Sequence, residues 1–471
     1  MKNNLIVSRQ ENFADWYTSV VKEGKLIEYG PVKGTMFFLP NGWSIWQQIV
    51  KEIDKQFSKI GVKNVQLPLF IKYSDFTKEK QHIDGFAPEL FLVSTNNKEQ
   101  TTDKLIIRPT SEISFCQLFK TQVKSFNDLP MLFNQWCSVC RVEKNTRPFL
   151  RNTEFHWQEL HTIHVTKEQA MQQVQKSITI YKKFIEKDLL IPVIFGEKTP
   201  QEKFAGADKT YTLEALMQDG QALQCATSHF LGQNFSKSYD ITFQTKNNTF
   251  ENVWQTSAGL SARIIGGLIM SHSDDNGLVL PFKIAPIQIG IIVLANDNQT
   301  NNYVQQIRKN LKKYRIDIDT SNKSFGFKIN QYQIQGVPFC FVIGKKEVND
   351  KIITIISRDS NQKISINCNN IKTQLNTLIN QYNHNLFTKA KERLQSSIVQ
   401  VNNFDQFKTV ITNKKIALAY FNDSCENENK IKQLTGATAR CIKKVLNIND
   451  HHKCVLTNQH ATHLIYFARA Y

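Results

Sequence analysis

Apolar positions along this chain recur with two periods, and the changes from one to the other mark its elements. Phe13, Trp16, Tyr17, Val20 and Val21 follow a helical stripe that stops near Gly24. Trp46, Ile49, Val50, Ile53, Phe57 and Ile60 make a second stripe that breaks at Gly61. The period then drops to two, with Val65, Leu67, Leu69 and Ile71 alternating as in a strand and Pro68 inside it. Proline donates no ladder hydrogen bond, so this strand is expected at a sheet edge or a bulge, where another chain can pack. Residues 131–157 read as antiparallel strands. The Lys- and Gln-rich stretch after Val165 reads as a helix to about Leu190, and more strands run through Tyr239 and Gln244. Near Trp254 a strand passes Gly259 into a helix from about Ala262, with Ile264, Ile265, Leu268 and Ile269 on its apolar side. These pieces predict one α+β domain with a largely antiparallel sheet.

The pattern changes after Pro281 and Pro286. A strand (287–294), a basic helix (302–314) and short strands near Ile316, at 339–343 and at 352–357 alternate as in a small α/β domain. A helical linker from Ile371 to about Leu394 then leads to a last, small α+β segment ending in FARAY. The expected units are residues 1–284, 285–380 and 381–471, in keeping with a chain of 471 residues, too long for one ordinary core.

Composition adds three constraints. The longest apolar-rich run, residues 284–295, is shorter than the roughly 20 residues that span a bilayer, and the N-terminus lacks the continuous apolar stretch of a signal peptide. A cytosolic protein without a membrane partner is expected. Nine cysteines without a framework of spacings predict reduced thiols. Lys plus Arg 59 against Asp plus Glu 41 gives a net charge of +18, which favours a polyanionic partner, although an anionic membrane surface or plain solubility demands no different balance. Arg308, Lys309, Lys312, Lys313 and Arg315 form either a phosphate-facing patch or a solvated helix face.

The richest chemistry lies in residues 141–164, RVEKNTRPFLRNTEFHWQELHTIH. Read as two strands around a break at 144–148, the segment places Arg141 and Glu143, then Arg151, Phe155, Trp157 and Glu159, on one face. Buried charge costs several kcal/mol per ion unless it is paired or liganded, so a binding site explains this mixture better than a strand pair with surface salt bridges. Guanidinium groups suit phosphate or carboxylate, aromatic rings suit a compact apolar group, and carboxylates suit an amine.

This segment resembles motif 2 of class II aminoacyl-tRNA synthetases, specifically the prolyl-tRNA synthetase family. The second helix and the Pro68 strand resemble motif 1, RPTSE at 108–112 the loop that holds the substrate amine, QCATSHFLGQNFSK at 224–237 a further family element, and GLSARIIGGLIMSHSDDNGLVLP at 259–281 motif 3. The match runs in order from about Asn12 to Pro286 and more weakly to Tyr471. It implies a class II catalytic domain (1–284), an anticodon-binding domain (285–380), a C-terminal domain (381–471) and a homodimer built on motif 1. It also implies ATP-dependent joining of L-proline to tRNA(Pro) through prolyl-adenylate, with magnesium accompanying ATP. A class II synthetase for another amino acid, or a synthetase-like tRNA-binding protein without catalysis, are the alternatives; the three arginines and the aromatic walls weigh against both.

By resemblance, Arg141 contacts the α-phosphate and the substrate carboxylate, and Arg263 the outer phosphates. Glu143, Arg151, Asn152, Gln224, Thr227 and Ser261 contact ATP, Thr110 and Glu112 receive the proline amine, and Phe155, Trp157 and His229 wall the proline ring. A cation in the first turn of a helix opposes the helix dipole unless an anion sits beside it, which supports the role of Arg263 independently; pairing with Asp274 or Asp275 is the alternative. The motif 2 loop is one residue shorter than in animal relatives, and the interval from His164 to Trp254 leaves no room for an inserted editing domain. In the eukaryote-like branch the C-terminal domain often binds zinc through four cysteines. Here the cysteine pairs are missing, which argues against a structural zinc site, with His451, His452, His460 and His463 as substitute donors. The CSVC at 137–140 is expected to pack within a strand and bind no metal.

Overall fold

The computed structural model describes residues 6–76, 90–94, 104–447 and 450–471; of the N-terminal reading, residues 1–5 lie outside these. Helix α1 (Phe13–Glu23) begins where the Asn12 side chain accepts from the Ala14 and Asp15 amides, and it buries Trp16, Tyr17, Val20 and Val21. Helix α2 (Pro40–Ser58) starts with proline in its first turn and buries Ile45, Trp46, Ile49, Ile53 and Phe57. Both stripes enter the largest core, with Leu160, Ile265 and Leu268.

The alternation at 65–71 does not make one strand. Short strands lie at β1 (Lys63–Asn64) and β2 (Phe70–Lys72), and side chains satisfy the backbone between them. Gln135 Oε1 accepts from the Leu67 amide at 2.6 Å, and Arg108 Nη1 donates to the Leu67 carbonyl at 2.9 Å. Pro68 has no amide to offer a ladder, so two buried polar side chains replace it. β1 is the edge of the main sheet, parallel to its neighbour.

That sheet is built on β3 (Met131–Cys140), β4 (Glu154–His164), β5 (Ile194–Glu197), β6 (Lys209–Leu216), β7 (Ala222–Gly232) and β8 (Trp254–Ser261), in the spatial order β5-β6-β7-β8-β4-β3 with every pair antiparallel. The motif 2 strands are shorter than the parity argument required. They end at Cys140 and resume at Glu154, so Arg141, Glu143 and Arg151 sit on the connecting loop. One rung persists beyond the strands, from the Arg141 amide to the Thr153 carbonyl at 2.8 Å, and keeps Arg141 in line with the sheet. Helix α3 (Lys167–Lys187) covers one face with Ala170, Val174, Ile178, Tyr181, Phe184 and Ile185, leaving the other face for the site. Helix α4 (Arg263–His272) follows β8 directly.

The second unit is a five-stranded sheet, three strands of it parallel, over its own core of Ile291, Val304, Ile307 and Phe341. Its basic helix, α5 (Asn298–Asn310), starts four residues earlier than expected because the Asp297 side chain caps it at the Thr300 amide. Of the basic run, Arg315 faces no solvent patch: it donates to the Ala285 and Lys283 carbonyls and ties down the linker. The expected boundary at 380 falls inside one continuous helix, α6 (Ile371–Ser397), whose Leu375 and Tyr382 pack on the second core and whose Leu394 packs on the C-terminal unit.

The C-terminal strands do not form a separate sheet. β9 (Thr438–Val445) lies beside β5 through Ile442 and Glu197, so four C-terminal strands extend the catalytic sheet to eleven. At this seam Glu214 of β6 pairs with Arg440 of β9 at 2.8 Å and with Lys198 at 2.9 Å, all three buried. Burial alone would raise the Glu214 carboxyl, but the two cations outweigh it and hold the group below its usual range. Among the candidate zinc donors, the ring of His452 stacks on Tyr420 and His463 faces Asp423. Among the described residues no group of three His, Cys, Asp or Glu side chains is arranged to hold a metal.

Candidate active site

Strand register builds the floor of the site. His229 lies opposite Thr210 on β6 and Ser257 on β8; Thr227 lies opposite Gly259, which faces Glu159 on β4; Ser261 faces Trp157. Alternate residues of four neighbouring strands therefore point to one side. They line a cleft of about 300 Å³ closed by Thr110, Glu112, Arg141, Phe155, Phe204, Gln224 and Arg263. A second cleft of about 230 Å³ adjoins it, lined by Glu143, Arg151 and Asn152, and shares Arg141, Phe155, Ser261 and Arg263 with the first. All thirteen residues assigned from sequence line one cleft or the other, and Arg141 lines both.

One end of the first cleft is acidic. The Thr110 hydroxyl donates to Glu112 Oε2, while Glu159 Oε1 accepts from the Ser111 amide at 3.0 Å and Glu159 Oε2 from Gln135 Nε2 at 3.3 Å. Burial raises the Glu112 carboxyl; burial, and then the charge of Glu112, push Glu159 up to about 7. Two carboxylates this close and this dry are suited to receive a cation. Arg141 stands above the aromatic walls, its guanidinium carbon 5.4 Å from the ring centres of both Phe155 and Trp157, with Nε donating to the Pro109 carbonyl at 3.0 Å. The two rings meet edge to face at 5.8 Å.

The opposite end gathers cations. Arg263 Nε donates to the Leu150 carbonyl at 3.0 Å. Burial first, then the Arg141 and Arg151 charges, lower its guanidinium to about 10. The alternative pairing of Arg263 does not occur: Asp274 is held by Arg358 at 2.6 Å and Asp275 by Arg9 at 2.9 Å. Glu143 pairs with Arg151 at 3.7 Å and accepts from the Asn145 amide at 3.4 Å. Arg141, Arg151 and Arg263 gather where the two clefts meet, an arrangement suited to a polyphosphate. Asn152, buried in this second cleft, has an Oδ1 with no protein partner among the described residues.

His229 is both a satisfied histidine and a wall. Its Nδ1 meets Thr210 Oγ1 at 3.0 Å, its Nε2 meets Thr227 Oγ1 at 2.9 Å, and its ring lies 4.7 Å from Phe204. Burial lowers it to about 3, so it is neutral at physiological pH. Sequence reading missed Thr210 and Phe204. Phe204 sits in the irregular 198–208 connection, which has no period to reveal it, and Thr210 owes its place to a register opposite His229 that spacing along one strand does not give.

Family models match three segments: the tRNA synthetase class II core domain (G, H, P, S and T) at residues 91–272, an anticodon binding domain at 288–378, and the prolyl-tRNA synthetase C-terminal domain at 404–471. The proline–tRNA ligase of Malacoplasma penetrans is 50% identical over 99% of both chains. The chain belongs to the prolyl-tRNA synthetase family. Another member, the proline–tRNA ligase of Ureaplasma urealyticum, is 49% identical over 99% of this chain and 98% of its own. The crystal structure of the prolyl-tRNA synthetase of Cryptosporidium parvum with halofuginone and AMPPNP superposes with a TM-score of 0.94 at 32% identity, covering 99% of this chain and 96% of that one. The same enzyme with L-proline and AMP gives 0.93 at 31% identity. Class II core, anticodon-binding domain and C-terminal domain thus follow one another as in other family members, with the C-terminal strands joined to the catalytic sheet.

Proposed function

We propose that this chain is a proline–tRNA ligase. In this reading the proline carboxylate attacks the α-phosphorus of ATP, the bond to pyrophosphate breaks, and the resulting prolyl-adenylate passes its prolyl group to the terminal adenosine of tRNA(Pro) with release of AMP. The observation that carries it is the pair of clefts joined at Arg141, one acidic and aromatic, the other lined by arginines. Thr110 and Glu112 receive the secondary ammonium, Phe155, Trp157 and His229 enclose the ring, and Arg141 holds the carboxylate and α-phosphate together. Arg263 takes the outer phosphates, with Glu143, Arg151, Asn152, Gln224, Thr227 and Ser261 seating the nucleotide. Such a displacement needs position and charge neutralisation more than proton transfer, and these residues supply both.

Magnesium would arrive on the triphosphate and neutralise part of its charge; with no ready-made cluster of donors among the described residues, Glu143 is the carboxylate lining the phosphate cleft. A homodimer is supported by the edge position of β1 and by Leu69, Phe70 and Leu92, large apolar side chains left exposed nearby. The net charge of +18 and the anticodon-binding match support tRNA(Pro) as partner, with units near 1–284, 285–380 and 381–471. No described helix is long and apolar enough to cross a membrane, and the cytoplasm is the expected location. A catalytically inactive paralogue is disfavoured by the three arginines in place. Incubating the protein with ATP, labelled proline and a tRNA(Pro) transcript should charge the transcript; absence of charging with both substrates saturating would overturn the reading.

A further inference from the structure

The hydrogen bonds behind His229 form a directed chain whose polarity follows from which atoms carry protons. It begins at the Phe204 amide, which donates to Thr210 Oγ1 at 3.0 Å. An amide N–H can only donate, so the Thr210 oxygen accepts there, and its own proton must go elsewhere. Thr210 is 2% exposed, and its other partner among the described residues is His229 Nδ1 at 3.0 Å. A proton on Nδ1 would leave the Thr210 hydroxyl proton buried without an acceptor, at a cost of about 1–3 kcal/mol. Nδ1 is therefore bare and accepts from Thr210. The neutral ring then carries its proton on Nε2, which donates to Thr227 Oγ1 at 2.9 Å. Thr227, half-buried on the cleft wall, accepts that bond and has its own hydroxyl proton left to offer to an acceptor on the bound substrates.

We propose that Thr210, through this chain, is a positioning residue for proline: its hydroxyl ties the Phe204 backbone to the His229 ring and fixes the tautomer in which Nε2 carries the proton. Phe204 and His229, 4.7 Å apart, are then held as one rigid wall although they come from an irregular connection and from a strand. A compact, rigid ring is recognised by fit, and a wall free to rotate would accept a smaller side chain nearly as well. Thr210 lies in the lining of the first cleft, but both hydrogen bonds of its hydroxyl go to the Phe204 amide and the His229 ring, through which it acts. The inference rests on the reading of the site as a proline site.

The test compares Thr210→Val, which keeps the shape and removes the hydroxyl, with Thr210→Ser, which keeps the hydroxyl, by ATP–pyrophosphate exchange with proline and with alanine on the full-length protein. Expected for Thr210→Val are a KM for proline raised about tenfold, a KM for ATP within about twofold of the unaltered chain, and a proline-to-alanine preference reduced about tenfold. Thr210→Ser should restore all three to within about twofold. An unchanged proline KM in Thr210→Val, an equal rise in both KM values, or a serine variant as impaired as the valine variant would overturn the proposal. Should the valine variant prove unstable, the serine variant decides: a proline KM within about twofold supports the role of the hydroxyl, and a tenfold rise refutes it. If the unaltered chain itself shows no proline-dependent exchange, the function assigned to the site fails instead, which separates the two claims.

Discussion

Arg263 should weaken the empty protein while serving the reaction. Its guanidinium lies among Arg141 and Arg151, and burial followed by those two charges lowers it from its ordinary value to about 10. That corresponds to about 3 kcal/mol spent on keeping the charge where it is, less what solvent reaching the half-buried side chain returns. Arg263→Met keeps the bulk and removes the charge. It also loses the bond from Nε to the Leu150 carbonyl, worth about 1 kcal/mol. The net expectation is a ligand-free protein about 1–2 kcal/mol more stable, a rise of roughly 2–6 °C if the catalytic domain melts as a unit. Proline-dependent ATP–pyrophosphate exchange should fall about 10²–10³-fold, as expected when a preorganised charge facing a transferring phosphoryl group is lost. Thermal melts of both proteins without ligand, paired with exchange rates, make the test. A variant that melts lower than the unaltered chain and exchanges within about tenfold of it would refute the electrostatic argument.

Three further outcomes follow from other parts of the molecule. Glu159 is pushed up to about 7 by burial and by Glu112, and a bound ammonium favours its ionised form. Proline binding should therefore release a proton near neutrality, and the KM for proline should fall by up to about tenfold as pH rises from about 6 to 8; Glu159→Gln should flatten that profile, and an unchanged slope would contradict the assignment. Arg440→Ala leaves Glu214 buried with Lys198 as its remaining cation, so urea denaturation at neutral pH should show a loss of about 3–5 kcal/mol. Because Glu214 is held below its usual range, this loss should shrink as pH falls toward that range, and a pH-independent deficit would argue against it. Residues 165–253 are occupied by α3, β5, β6, β7 and short connecting elements, so alanyl-tRNA(Pro) should persist in the presence of the purified chain; rapid deacylation would show a hydrolytic site this account lacks.

Much of this architecture was legible because amphipathic helices write their burial into a stripe. α1 and α2 have the stripes and stops read from Phe13 to Gly24 and from Trp46 to Gly61. The strand through Pro68 misled because alternation reports which side chains face inward, not whether a ladder exists. Gln135 and Arg108, distant in sequence, supply the missing hydrogen bonds. Parity likewise grouped Arg141, Glu143 and Arg151, which line the clefts, but placed them on strands, when they stand on the loop between. Short-range spacing carries no information on the continuity of a sheet across domains, so the joining of β9 to β5 was invisible, whereas the helix that runs through 380 was read from Ile371 to about Leu394 and is α6. Phe204 and Thr210 were missed for a related reason: their importance comes from a register between β6 and β7 and from an irregular connection, neither of which has a period of its own.

The central claim is that one cleft selects proline and the adjoining one activates it with ATP. ATP–pyrophosphate exchange measured with each of the twenty amino acids tests it most directly. Robust exchange is expected with proline, weak exchange with alanine and background with the rest. Exchange driven by a different amino acid, or by none while ATP still binds, would contradict it.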